Sequence, residues 1–211
     1  MANSSSNVSV GKPKIGGAIY VAPVGTDLPA SAVATLDEDF KGLGYVSEDG
    51  VTNADSRESE EIMAWGGDVV ATPQTSRSDA FTFTLIECMN VDVLKFVYGS
   101  DNVSGALATG ITIAANSKPQ SEVSVVIDMI LNGDVLKRIV LPVASVSEVG
   151  EITYVDNEPI GYETTVSCKP DSTGNTHYEY IQTKPAPTPG PEDDDNGGDV
   201  GGGGSPDPEE P

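Results

Sequence analysis

One histidine, His177, and two cysteines, Cys88 and Cys168, are the residues best suited to nucleophilic or acid–base chemistry. A Ser-His-Asp or Cys-His arrangement would have to use His177, which lies in a strand-like stretch, "THYEYIQ". Neither cysteine has a nucleophile context, and there is no G-x-S-x-G elbow. Neither belongs to a C-x-x-C pair of the kind that holds zinc. The cysteines read as small core residues kept reduced, and His177 as a surface or interface residue. The carboxylates come in runs: Asp37-Glu38-Asp39, Glu48-Asp49, and Glu58, Glu60 and Glu61. Acid–base catalysis needs two carboxylates whose environments separate their pKa values, whereas runs on loops stay solvated and equivalent. No run has the spacing of a calcium loop. The Gly pair in "KIGGAIYV" leads into a strand, not a helix N-terminus, and no Gly-Lys-Ser/Thr follows, so no phosphate cradle forms there. No catalytic, cofactor-binding or metal site is expected, and the chain does not read as an enzyme.

Trp65 is the only tryptophan. It follows the acids Glu60 and Glu61 and immediately precedes Gly66-Gly67, in "EEIMAWGGDVV". Two readings stand. Trp65 could fill a sandwich interior. Alternatively, a large aromatic beside a flexible turn in an acidic loop suits a protein contact. On the second reading Glu60, Glu61, Ile62, Met63, Trp65, Val69 and Val70 form a subunit interface.

The elements that would position these residues are mostly strands. "GAIYVA" ends at Pro23, and "GTDLPASAVATLDEDFKGLGYVSEDG" is turn-rich with one strand at 44–47. Residues 79–85 alternate, with Phe81, Phe83 and Leu85 on one face and Thr82 and Thr84 on the other. In "MNVDVLKFVYG" the period changes: Met89, Val93, Phe96 and Val97 fall at helical spacing, with Asn90 as N-cap and Gly99 just past the end. Such a short amphipathic helix should lie across a sheet. After a strand at "GITIAA", "EVSVVIDMIL" and "DVLKRIVLPV" pair through a two-residue Asn132-Gly133 turn. "SVSEVGEITYV" and "IGYETTVSCKP" make a second hairpin around Asp156-Asn157. The fold class is mainly β: two packed antiparallel sheets, sandwich or barrel-like, with one flanking α-helix and a long inter-strand loop. Val126, Ile130, Leu136 and Val140 make the second face of the central hairpin apolar too. That face is covered either within the domain or by another copy.

The chain has 211 residues and divides into a flexible arm at 1–15, a β domain at 16–184 and a disordered tail at 185–211. The tail, "PAPTPGPEDDDNGGDVGGGGSPDPEEP", holds eight acids and no base, and cannot bury enough surface to offset its ordering entropy. The whole chain has 33 acidic and 11 basic residues, a formal charge of −22. A nucleic-acid grip needs cations against phosphates, so that class is excluded, but an acidic wall lets a polyanion slide past. No stretch approaches the roughly 20 apolar residues of a membrane span, and "MANSSSNVSVGKPKIGG" lacks the apolar core of a signal peptide. Synthesis in the cytoplasm is expected.

Three segments, taken in order, carry a resemblance: "GYVSEDGVTNADSRESEEIMAWGGDVV", "FTFTLIECMNVDVLKFVYG" and "VVIDMILNGDVLKRIVLPVASVSEVGEITYVDNEPIGYE". Together they resemble the major tail protein, or tail tube protein, of long non-contractile-tailed bacteriophages (siphophages) of Gram-positive hosts. The resemblance runs from about Gly16 to Tyr180. It implies a structural virion protein that self-assembles into stacked, usually hexameric, rings around a tape-measure protein. It also implies tail terminator and initiator partners, and a lumen that conducts DNA during ejection without binding it. Residues 48–78 would be an inter-ring contact arm. Two other classes compete: another virion β-module, such as a head decoration or tail terminator protein, and a bacterial surface adhesion module.

Overall fold

The computed structural model describes residues 3–14 and 17–185. The acidic tail lies outside the described residues, apart from its first proline. Thirteen strands and one α-helix follow in chain order: β1 (Lys12–Pro13), β2 (Ile19–Pro23), β3 (Lys41–Gly42), β4 (Val46–Ser59), β5 (Ile62–Met63), β6 (Val69–Ala71), β7 (Gln74–Leu85), α1 (Val91–Tyr98), β8 (Val103–Ala106), β9 (Gly110–Ile113), β10 (Val123–Ile130), β11 (Val135–Val149), β12 (Tyr162–Lys169) and β13 (Tyr178–Thr183). Nine strands form one antiparallel sheet along the path β3-β2-β10-β11-β12-β7-β4, with β1 added to β10 and β13 to β11. β5-β6 and β8-β9 are separate two-stranded pairs. The mainly β, antiparallel, one-helix architecture expected from sequence is present, and its layers are cut from a single continuous sheet.

That sheet curls until its ends approach. β3 and β4 stand at opposite ends of the path, yet only Leu43, Gly44 and Tyr45 separate them in the chain. The Leu43 N–H donates to the Ile19 carbonyl at 2.9 Å, and the Ile86 N–H to the Tyr45 carbonyl at 3.1 Å. Bulges in β4, β10 and β11 add the local bend and twist that a flat ladder lacks. The ladder does not close into a barrel, and a seam remains between β3 and β4.

Strand alternation fills the concave side. Phe81, Phe83 and Leu85 of β7, Val125 and Ile127 of β10, Ile139 and Leu141 of β11, and Val166 of β12 join one buried cluster. α1 lies on this cluster through Val93, Leu94, Phe96 and Val97, and Phe96 stacks on Phe83 with ring centroids 6.1 Å apart. The helix starts where the sequence predicts: the Asn90 side chain accepts from the Asp92 N–H at 3.0 Å. Gly99 follows the last turn at φ 93°, a conformation costly to a residue with a Cβ. Met89, expected on the buried face, is 64% exposed. It precedes the N-cap, so the helical period does not reach it, and Leu94 is buried instead.

The opposite face of the central hairpin is covered within the chain. Val126, Val140, Ala22 and Phe40 form a second buried cluster beneath the segment 24–40. On the same face Arg138 and Asp128 form a buried pair, with Nε to Oδ1 at 2.6 Å and Nη2 to Oδ2 at 2.8 Å. Arg138 Nη1 also donates to the carbonyls of Ser31 and Ala34, which ties the covering segment to the sheet. The segment has almost no regular structure, so this ion pair and Phe40 stand in for a ladder. The apolar second face therefore needs no other copy to bury its centre.

Two turns differ from expectation. The Leu131 N–H bonds to the Val135 carbonyl, so the β10–β11 loop has three residues, Asn132 to Asp134, with Gly133 at φ 68°. β11 ends at Val149 and β12 begins at Tyr162, so Asp156-Asn157 sits in a twelve-residue connection and not in a tight hairpin. Asn132 also bonds Val8 and Ser9, so the first residues are held against this turn as well as through β1.

Candidate assembly interface

β4 and β7 run far past the sheet. β12 pairs with β7 only from Ala80 to Leu85. Beyond Ala80, residues 54–59 and 74–79 continue as an isolated two-stranded ribbon. The expected long loop is thus an ordered arm. Its ladder places Asp55 opposite Asp79 and Arg57 opposite Arg77, like against like. The repulsion is relieved diagonally: Arg77 donates to both Asp55 oxygens at 3.0 and 3.2 Å, and Arg57 reaches Asp55 at 3.4 Å. The Arg77 guanidinium holds the Asp55 carboxyl below the usual carboxylate range.

Where the arm leaves the domain, Asp79 is buried. Its carboxylate accepts from Thr176 Oγ1, His177 Nδ1 at 2.6 Å and Asn53 Nδ2 at 2.9 Å. Burial pushes the Asp79 carboxyl up, but these donors outweigh it and hold the group below its ordinary value. His177 packs edge-on against Phe81 with centroids 5.3 Å apart. The histidine expected at a surface or interface is therefore mostly enclosed. It belongs to a polar cluster that ties β4 and β7 to the segment before β13. Sequence reasoning missed this cluster because Asp79 and His177 are 98 residues apart and share no motif. Burial pushes the Cys168 thiol up to about 12, so it offers no thiolate.

The tip of the arm is a second, smaller hairpin, β5-β6. The Ala64 N–H bonds to the Asp68 carbonyl at 2.7 Å, and Gly66 and Gly67 turn the chain at φ 130° and 96°. Trp65 stands on this turn with a relative exposure of 107%, so it fills no interior of its own chain. Ile62, Met63, Val69 and Val70 are each about half exposed or more, and Glu60 and Glu61 lie beside them in solvent. All seven residues predicted as an interface thus meet at one projecting tip. A two-stranded ribbon is marginal alone, and this one carries a cluster of exposed apolar side chains.

A sequence model described as "phage tail tube protein" matches residues 1–191. This chain belongs to the phage tail tube protein family. None of the curated proteins compared with it matches. Tail tube proteins are structural components of the virion tail. No helix among the described residues is long and apolar enough to cross a membrane.

Proposed function

We propose that this tail tube protein self-assembles into stacked, six-fold rings that form the conduit for DNA ejection, and that the β4–β7 arm bridges neighbouring subunits. The observation that carries the arm's role is the fully exposed Trp65 on an apolar tip, held away from a core whose own two faces are covered. A head-to-tail contact made by a protruding element generates rings and open stacks. An overall charge of −22 keeps DNA from adhering to the wall. A tape-measure protein and tail terminator and initiator proteins complete the assembly, and the chain acts in the virion tail after synthesis in the host cytoplasm.

The test is to replace residues 60–73 with a short Gly-Ser turn. Circular dichroism and the melting temperature should stay close to wild type, because the tip makes no buried contact. Negative-stain microscopy should show no stacked tubes. Tubes of normal length from this variant would remove the arm from the mechanism.

A further inference from the structure

A cavity of about 460 Å³ opens where the sheet fails to close, and its lining includes Pro13, Lys14, Ala18, Tyr45, Val46 and Glu87. Its walls are mainly apolar, and Tyr45 stands at it 75% exposed. Gly44, at φ 69°, is required here: a Cβ would collide with the Glu87 carboxylate. Glu87 lies in that space and accepts from the Tyr45 N–H and the Asn90 amide, each at 2.9 Å. Lys14 lies 3.0 Å from Asp128, whose charge Arg138 already balances. With Lys12 two residues away, the three cations Lys12, Lys14 and Arg138 outnumber the two carboxylates Asp128 and Glu87 on this side of the seam, in a strongly acidic chain.

The arm tip is complementary in each respect. It presents an indole and four aliphatic or thioether side chains. Glu60, Glu61 and Asp68 flank them, and no base occurs between Arg57 and Arg77. Pockets of about 300–1,000 Å³ suit groups of drug size, so an indole and one aliphatic neighbour fit this volume.

Position decides who can fill it. The cavity touches Val46, the first residue of β4, and the tip follows Ser59, its last. Fourteen residues of strand span about 45 Å, so a tip cannot fold back into its own cavity. Donor and acceptor at opposite ends of one strand make a heterologous contact that repeats indefinitely.

We infer that the cavity at the β3–β4 seam receives the Trp65 tip from the arm of a second copy of this chain. The inference rests on the arm bridging subunits, and names the surface it bridges to. Lys12 and Lys14 meet the tip acids, and Tyr45 packs against the incoming indole.

Two readings separate the inference from the reading beneath it. Trp65 is the sole tryptophan, so its fluorescence reports the tip directly. On assembly the emission should shift to shorter wavelength and acrylamide quenching should fall several-fold. An unchanged spectrum in assembled tubes contradicts the arm contact itself, and the inference with it. Separately, an Ala64→Cys variant, which keeps the indole, is mixed with a Pro13→Cys variant at the cavity wall under mild oxidation at assembling concentration. Both positions are exposed, so both variants should fold. A disulfide joining the two introduced positions, located by mass spectrometry of the linked peptides so that the free Cys88 and Cys168 are told apart from it, should form in the mixture. A shifted spectrum without the mixed disulfide means that the tip seats elsewhere, which overturns the cavity while leaving the arm. Absence of the mixed disulfide counts against the cavity whether or not tubes are visible.

Discussion

Asp128 and Arg138 face each other across β10 and β11, and Arg138 reaches on to the carbonyls of Ser31 and Ala34. A buried pair of this kind contributes little net stability against an apolar replacement, but removing one partner costs about 3–5 kcal/mol. Its role is to fix the covering segment in one place. Burial raises the Asp128 carboxyl, and the bonds from Arg138 and Lys14 more than offset this, so it titrates below the usual carboxylate range. Asp79 is likewise lowered. A carboxyl depressed in the folded state contributes stability that is full above its unfolded pKa and lost as pH falls through the folded one. The melting temperature should therefore be insensitive to these groups near neutral pH and fall progressively below about pH 4. The Asp128→Asn variant should be less stable at pH 7 and show a flatter decline in acid, as measured by thermal melts from pH 7 to pH 2.5. Parallel curves for the two proteins would contradict the assignment.

Among the elements, the arm carries the proposed assembly contact, and the polar cluster at its base ties both of its strands to the segment before β13. Thr176 and His177 grip Asp79 of β7, and Asn53 of β4 completes the shell. The Thr176→Val substitution leaves the buried carboxylate one donor short, at a cost of about 1–3 kcal/mol. Trypsin sites at Arg57 and Arg77 lie in the shaft just beyond. Cleavage there should accelerate in the Thr176→Val protein under conditions where the core stays folded, and a Thr176→Ser variant should restore resistance. Equal cleavage rates in all three would mean that the cluster does not hold the arm. The elements differ in how legible they are in the sequence. The alternation Phe81, Phe83, Leu85 and the Asn90 cap declare β7 and α1 because their signals are local. The arm's apolar tip is only partly legible: Trp65 beside two glycines and a run of acids suits a protein contact, but the sequence leaves a core position for it open, and only its exposure decides. The segment 24–40 is not, because it is held by a side chain more than 100 residues away and not by a periodic pattern. The cluster around Asp79 and the seam cavity are hidden for the same reason: each is assembled from distant parts of the chain.

At the scale of the whole molecule, both apolar faces of the central hairpin are buried inside one chain, so the subunit does not need its neighbours to complete its core. Among the exposed large apolar side chains, Ile62, Met63, Trp65, Val69 and Val70 gather at the arm tip, while others, such as Val8, Tyr45, Met89, Leu107 and Tyr154, are spread over the domain. The long free edge of β4 carries Glu48, Asp49, Asp55, Arg57 and Glu58, charges that blunt indiscriminate pairing between edges. On the proposed function, association is directed to the tip and whatever receives it, and a net charge of −22 opposes random aggregation. The most direct measurement of the central claim is sedimentation velocity of the purified full chain over a wide concentration range, with negative-stain microscopy of the same samples. A monomer at low concentration that gives way to hollow tubes of uniform diameter at high concentration is the predicted result. Closed single rings that never stack, or a monomer at every concentration with and without a tail-tip initiator complex, would contradict it.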